Sequence, residues 1–259
     1  MAASINSSPG PRERDLRGQI VLVIGGSSSI GLETARLARA QGADIILTAR
    51  DPDRLQRAGL ELGASIAAFD ATDFGRLGRF FDALPAPIDH LLVTAPGCTP
   101  SAGPGLDAAR RAVDAHLLLP LQVARHAASK IRPPGTLLFT AGPPAAGPAL
   151  TAALTAALPA MTKSLALEVA PVRVNLLATG WPGHLARPAD VAVLAVSLMT
   201  STTATGTTVE VDDGHPTVLS GRPELYAAAV LRTARPVVKV NAGVAAADDH
   251  GGSVMRIYD

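Results

Sequence analysis

The residues best able to do chemistry along this 259-residue chain gather in a few short stretches. The first is Gly25-Gly26-Ser27-Ser28-Ser29-Ile30-Gly31, which follows an apolar run and precedes an Ala/Leu/Arg-rich segment. Glycines at such a turn let backbone N–H groups close on a pyrophosphate, the following helix N-terminus adds partial positive charge, and the three serine hydroxyls can donate to phosphate oxygens. A plain tight turn uses the same glycines, so the nucleotide reading rests on placement between a strand and an amphipathic helix. Arg50 closes the second apolar run in Thr48-Ala49-Arg50. A basic side chain there suits a 2′-phosphate, hence NADP(H) before NAD(H), with a solvent-facing arginine as the structural alternative. An imidazole, His116, is a capable proton donor near neutral pH or else a helix histidine satisfied by a carbonyl. Cys98 is the only cysteine, the only tyrosines are Tyr226 and Tyr258, and the only lysines are Lys130, Lys163 and Lys239. The thirty residues from Pro133 to Thr162 contain no Tyr, Lys, Arg, His, Cys, Asp or Glu.

These groups must be carried by a regular scaffold, and the hydrophobic pattern supplies one. Strands are predicted at Ile20–Ile24, Asp44–Thr48, Ser65–Phe69, Asp89–Thr94, Thr136–Thr140, Arg173–Ala178 and Thr208–Val211. Helices are predicted at Ile30–Gln41, Pro52–Leu62, Phe74–Ala83, Leu106–Ser129, Ala149–Val169 and Ala189–Met199. Such alternation is the rhythm of an α/β fold: a single Rossmann-like, doubly wound parallel sheet of about seven strands with helices on both faces. The uncharged thirty-residue stretch carries six prolines and three glycines, which hydrocarbon would not tolerate in a spanning segment, so it reads as a buried strand, a loop and a buried helix. With 23 basic against 22 acidic residues no broad charged face for nucleic acid or an anionic membrane is expected, and a small-molecule ligand fits better. A lone cysteine is compatible with a reducing cytoplasm. Residues 1–17, rich in Ser, Pro and alternating charge, read as a flexible tail and not a signal peptide. Residues 18–218 make the nucleotide-binding domain, and 219–259 an extension in which Pro223–Arg235 suits a helix and Val237–Val240 a short strand.

The order of motifs resembles the short-chain dehydrogenase/reductase family over roughly residues 18–216. The resemblance is carried by the Gly25–Gly31 turn, by Leu165-Ala166-Leu167-Glu168, by Val172-Arg173-Val174-Asn175 and by Val211-Asp212-Asp213-Gly214. It implies that Gly25 and Gly31 are the first and last glycines of the pyrophosphate turn, with Ser29 replacing the middle one and Ser27, Ser28 and Ile30 beside them. It implies that Ala49 takes the place of the carboxylate that NAD-binding relatives carry. Asp70 and Ala71 take the adenine-contacting position, and Gly97 of Thr94-Ala95-Pro96-Gly97 lines the ribose. The family's catalytic Tyr and Lys positions fall on Thr151 and Thr155, its serine near Ala141 and its asparagine on His116. A shortened lid over Thr179–His184 is implied, with Trp181 over the mouth and His184 in a threonine's place. The fold relatives pair their long helices, which here implies a homodimer or homotetramer through Leu106–Ser129 and Ala149–Val169. The function implied is an NADP(H)-dependent oxidoreductase of a small carbonyl or hydroxyl compound with an altered catalytic site. A cofactor-binding pseudoenzyme and a non-redox enzyme reusing the pocket are the alternatives.

Overall fold

A computed structural model describes residues 15–84, 87–94, 105–142, 149–179, 186–212 and 215–220. Its strands are β1 (Ile20–Ile24), β2 (Asp44–Ala49), β3 (Ser65–Ala68), β4 (Ile88–Val93), β5 (Ile131–Ala141), β6 (Arg173–Thr179), β7 (Thr207–Asp212) and β8 (His215–Ser220). They form one sheet in the order β3-β2-β1-β4-β5-β6-β7-β8. The first seven run parallel and β8 pairs antiparallel to β7. The helices are α1 (Ser29–Ala40), α2 (Pro52–Leu62), α3 (Phe74–Ala83), α4 (Leu106–Val113), α5 (Leu119–Ala127), α6 (Ala149–Glu168) and α7 (Pro188–Thr200).

Both faces of the sheet are covered, which is why the central strands are apolar throughout and do not alternate. One core lies under α1, α2 and α7 and contains Val21, Val23, Leu47, Leu92, Leu138 and Leu194. The other lies under α3, α5 and α6 and contains Leu22, Phe81, Leu91, Phe139, Leu158 and Leu176. Leu16 is fully buried and its N–H donates to the Gln41 carbonyl, so the fold takes hold before the expected tail ends at Arg17. The sheet runs on to Ser220, two residues beyond the expected boundary at 218.

Three segments differ from the sequence pattern for identifiable reasons. The single helix expected over Leu106–Ser129 is interrupted by a π-helical turn at Asp114–Leu118. Pro120 has no N–H to offer the His116 carbonyl four residues back, and the ladder widens just before it, with the Leu119 N–H reaching the Asp114 carbonyl. Strand β5 starts at Ile131 and not at Thr136, because Arg132, Pro133 and Pro134 are accommodated at an irregularity in its pairing with β4, where a proline costs no ladder bond. Helix α6 is not buried all round. Leu154, Thr155, Leu158, Thr162 and Leu165 face the sheet while Ala153, Ala156, Ala157, Ala160, Lys163 and Leu167 are exposed, since small alanines carry little penalty on either side.

The end of the sheet away from the Gly-rich turn is stitched by buried polar groups. Arg173 donates from Nη1 to the Leu198 carbonyl (2.8 Å), from Nη2 to the Met199 carbonyl (3.0 Å) and from Nε to the Pro134 carbonyl (3.1 Å), capping the last turn of α7. Asn175, fully buried, donates to the Ala204 carbonyl (2.9 Å) and accepts from the Thr207 N–H (3.1 Å), which fixes β7 beside β6. His90, in the same region of β4, holds Gln19 Oε1 2.6 Å from its Nε2. Burial, and secondarily the Arg173 cation, push the His90 imidazole down to about 3 from an ordinary 6.5.

Because the unfolded chain then takes up a proton before the folded one, stability from this group is intact above pH 6.5 and declines as the pH falls towards 3, by about 1.4 kcal/mol per unit at most. Urea denaturation of the parent and of His90→Leu between pH 7.5 and 4.5 checks this: the parent should lose stability more steeply over that window.

Candidate functional site

The strand order reverses direction between β1 and β4, and at the carboxyl ends of these strands the doubly wound architecture leaves a crevice. The Gly25–Gly31 turn stands on one side. Gly25 has φ +90°, a left-handed conformation that favours glycine, and a Cβ there would run into Thr94 Oγ1. At Gly31 a Cβ would lie 2.5 Å from the Gly25 carbonyl oxygen and 3.3 Å from Gly26 Cα, so helix α1 can approach the turn this closely only with glycine. The N–H groups of both Gly25 and Gly26 donate to the Thr48 carbonyl, at 2.8 and 3.0 Å, tying the turn to β2.

Ser29, the replacement for the family's middle glycine, is the first residue of α1, exposed and in helical conformation, so it needs no positive φ. Ser28 turns its hydroxyl back to the Gly25 carbonyl (2.7 Å) and lies 3.5 Å from Thr94 Oγ1, and so does not cap the helix. The N–H groups of Ser29, Ile30 and Gly31 have no backbone partner among the described residues, and no acidic residue stands in the first turn of α1. This is a site ready for an anion. Ser27 and Ile30 are half-buried beside it.

Arg50 follows β2 directly and is exposed, with no ion pair to any described residue. Asp70 follows β3 by two residues. Its Oδ1 accepts from the Thr72 N–H (2.9 Å) and the Thr72 hydroxyl (2.8 Å), closing a turn around half-buried Ala71, and its Oδ2 accepts no bond from a described residue. The turn-capping and adenine-contacting roles of Asp70 are therefore compatible, since they use different oxygens. The backbone turn, the free helix N-terminus, the basic residue after β2 and the carboxylate after β3 together fit a dinucleotide laid across β1, β2 and β3.

Next to this cradle is a small cavity between β4, β5, the π-helical turn and α6. It is lined by apolar side chains, among them Val93, Leu119, Phe139 and Leu158, and by three polar ones, Thr94, His116 and Thr140. Thr94 donates from its N–H (3.0 Å) and its hydroxyl (3.1 Å) to the Ile24 carbonyl, closing β4 against β1. His116 is half-buried, and burial pushes its imidazole below the ordinary value. It makes no side-chain hydrogen bond to a described residue. The widened helical turn brings Ala115, His116, Leu119 and Pro120 to one narrow arc on the cavity wall.

The expected catalytic positions do not all meet here. Thr155 is buried on the sheet-facing side of α6, but Leu158, one turn further on, is the α6 residue lining the cavity. Thr151 lies one turn before Thr155 on the same helix. Ala141 is buried at the end of β5, where its carbonyl accepts from the Thr179 hydroxyl (3.0 Å). Lys163, also on α6, is exposed and does not line the cavity. Gly97, Cys98, Trp181, His184, Tyr226, Tyr258 and Lys239 lie outside the described residues. The sequence pattern did not mark Thr140 as a cavity residue and marked Thr94 only as the end of a strand. The available signal was that each is a threonine at the carboxyl end of an otherwise apolar central strand.

Comparison with known proteins agrees with this geometry. The family model described as enoyl-(acyl carrier protein) reductase matches residues 24–182. The chain belongs to the short-chain dehydrogenase/reductase family. A curated member from Stachybotrys chlorohalonatus is 29% identical, covering 77% of this chain and 97% of that protein. Among solved structures, the MalC reductase/Diels-Alderase from Malbranchea aurantiaca superposes with a TM-score of 0.69 at 25% identity, covering 78% of this chain and 98% of that one. BdcA in complex with NADPH superposes with a TM-score of 0.67 at 23% identity, over 76% of this chain and 94% of that one.

Substituting Gly31 by alanine should destabilise the protein by about 1–3 kcal/mol, because both neighbours of the added Cβ are backbone atoms that cannot rotate away. A lower urea midpoint with an unchanged slope is the expected result.

Proposed function

We propose that this protein is an NADP(H)-dependent oxidoreductase acting on a small carbonyl or hydroxyl compound, with Thr151, Thr155 and His116 standing where most relatives carry Tyr, Lys and Asn. The observation that carries the reading is the Gly25–Gly31 turn, whose backbone approach leaves three N–H groups of α1 open to an anion. Exposed Arg50 at the end of β2 supports the phosphorylated cofactor, and a neighbour of the same fold, BdcA, holds NADPH. When bound, the cofactor would supply hydride at the cavity. The chain's own part is to hold the pyrophosphate on the α1 N-terminus, to shape the apolar walls and to present the His116 N–H to the substrate oxygen. NAD(H) remains the weaker-binding alternative.

One observation favours a second reading. Lys163 is exposed and does not line the cavity, and Thr155 is buried, so no described residue takes over the family lysine's hold on the ribose. A cofactor-binding pseudoenzyme, a sensor or assembly partner, would look the same. Turnover separates the two.

The exposed outer face of α6, with Ala153, Ala156, Ala157, Ala160 and Leu167, supports a homodimer or homotetramer, since small residues let a partner helix approach closely. No helix among the described residues is long and apolar enough to cross a membrane, and the single cysteine suits a cytoplasmic setting.

Calorimetric titration should show NADPH binding more tightly than NADH, and Arg50→Ala should erase the difference; equal affinities in the parent protein would remove the basis for NADP(H). Light scattering at micromolar concentration should give a dimer or tetramer, and a monomer would refute the assembly.

A further inference from the structure

Ser28 holds the N-cap position of α1 with φ −92° and ψ 162°, the extended backbone from which a serine oxygen ordinarily accepts the N–H of the second or third helical residue. It accepts neither. Asp51 and Asp73, at the starts of α2 and α3, do what the position invites. Asp51 Oδ1 accepts from the Asp53 and Arg54 N–H groups (3.1 and 3.0 Å), and Asp73 Oδ1 from the Arg76 N–H (3.0 Å). The Ser28 hydroxyl turns the other way and donates to the Gly25 carbonyl (2.7 Å). Glu33, the only acidic residue of α1, is paired with Arg36. The group best placed to close the start of α1 is thus held away from it.

Thr94 accounts for that rotamer. It is buried just after β4, with its Oγ1 3.5 Å from Ser28 Oγ. Its single hydroxyl proton goes to the Ile24 carbonyl (3.1 Å), so the oxygen facing Ser28 is an acceptor. The Ser28 O–H therefore has two acceptors within reach, and in the rotamer that serves them its oxygen meets neither the Ile30 nor the Gly31 N–H. Resting on the cofactor-binding reading above, we infer that Thr94 is a positioning residue for the dinucleotide: it holds the Ser28 hydroxyl turned back and so keeps the N–H groups of Ile30 and Gly31 free for the pyrophosphate.

The alternative is self-capping. With Thr94 Oγ1 removed, the Ser28 O–H keeps one acceptor, and the rotamer in which its oxygen takes an amide proton of α1 gains by comparison. An anion reaching the helix would then have to displace a bond the chain makes to itself. Its apparent affinity falls by the fraction of molecules left uncapped. A serine N-cap is worth a factor of about five, which sets the size of the loss.

Calorimetry with full-length protein should show Thr94→Val binding NADPH about fivefold more weakly than the parent. The loss should run through Ser28, so the Thr94→Val/Ser28→Ala variant should bind as Ser28→Ala alone does. Amide hydrogen exchange in the free protein reads the same effect without cofactor. Ile30 and Gly31 should exchange more slowly in Thr94→Val than in the parent, and quickly again once Ser28 is alanine. Simple loosening of the turn would speed exchange instead. Thr94→Ala removes the same oxygen and carries the test if the valine variant does not fold, while Thr94→Ser, which keeps the oxygen, should behave as the parent. Unchanged or faster exchange at Ile30 and Gly31 in Thr94→Val, or affinity losses that merely add, would overturn the inference and leave the cofactor reading standing. A parent protein that binds neither NADPH nor NADH would overturn the cofactor reading and the inference with it.

Discussion

The carbonyl oxygen of Gly25 and the Cα of Gly31 come so near one another that no side chain fits between them, and the placement of every nucleotide-facing group follows from that approach. It seats the first turn of α1 directly above the carboxyl end of β1, so the unclaimed N–H groups of Ser29, Ile30 and Gly31 face the crevice. It brings Gly25 against Thr94, whose two bonds to the Ile24 carbonyl close β4 onto β1 at the point where the sheet changes winding direction. Gly26, where a Cβ would lie 2.7 Å from Leu47 Cδ2, lets β2 crowd the same turn and so fixes where Arg50 emerges. The open first turn of α1, the emergence of Arg50 and the closure of β4 beside the cavity are in this way consequences of one steric condition.

The opposite end of the sheet has a different character. There Arg173, Asn175 and His90 are buried and hydrogen-bonded to backbone or to Gln19, and they tie α7, β7 and β1 together through atoms that have no water to fall back on. Removing a partner from such a group leaves a desolvated polar atom, so this end is built for constancy. The motif Val172-Arg173-Val174-Asn175, which carries part of the likeness to the family, belongs to this end, where Arg173 and Asn175 bond backbone groups. That part of the likeness therefore sits at the opposite end of the strands from the Gly25–Gly31 turn, which carries another part of it.

At the reacting end the side chains are sparse. Helix α6 puts Thr155 and Leu158 towards the sheet and leaves Lys163 on the alanine-rich outer face, so the helix that would carry the tyrosine and lysine presents chiefly a hydrocarbon surface to the cavity. The polar contribution comes from across the cavity, where Pro120 denies the helix a bond and the widened turn carries His116 inward.

What the chain determined by itself is the alternation of strands and helices and the nature of the Gly25–Gly31 turn. Both are local properties: β-branched runs, Pro52 at a helix start, Asp51 and Asp73 as caps, and glycine where backbone must meet backbone. Six of the seven predicted strands lie within two residues of their observed bounds for the same reason. The fifth, β5, begins five residues early because its pairing with β4 is irregular, which is a property of the pair and not of the segment. Strand β8 was not legible, since an antiparallel edge strand carrying Pro216 acquires its identity only from β7 beside it. The same holds for the site. That His116 could titrate is written in its side chain, but the burial that pushes its imidazole down comes from the tertiary fold. That Thr94 and Thr140 share those walls depends on strands that meet only when the sheet closes.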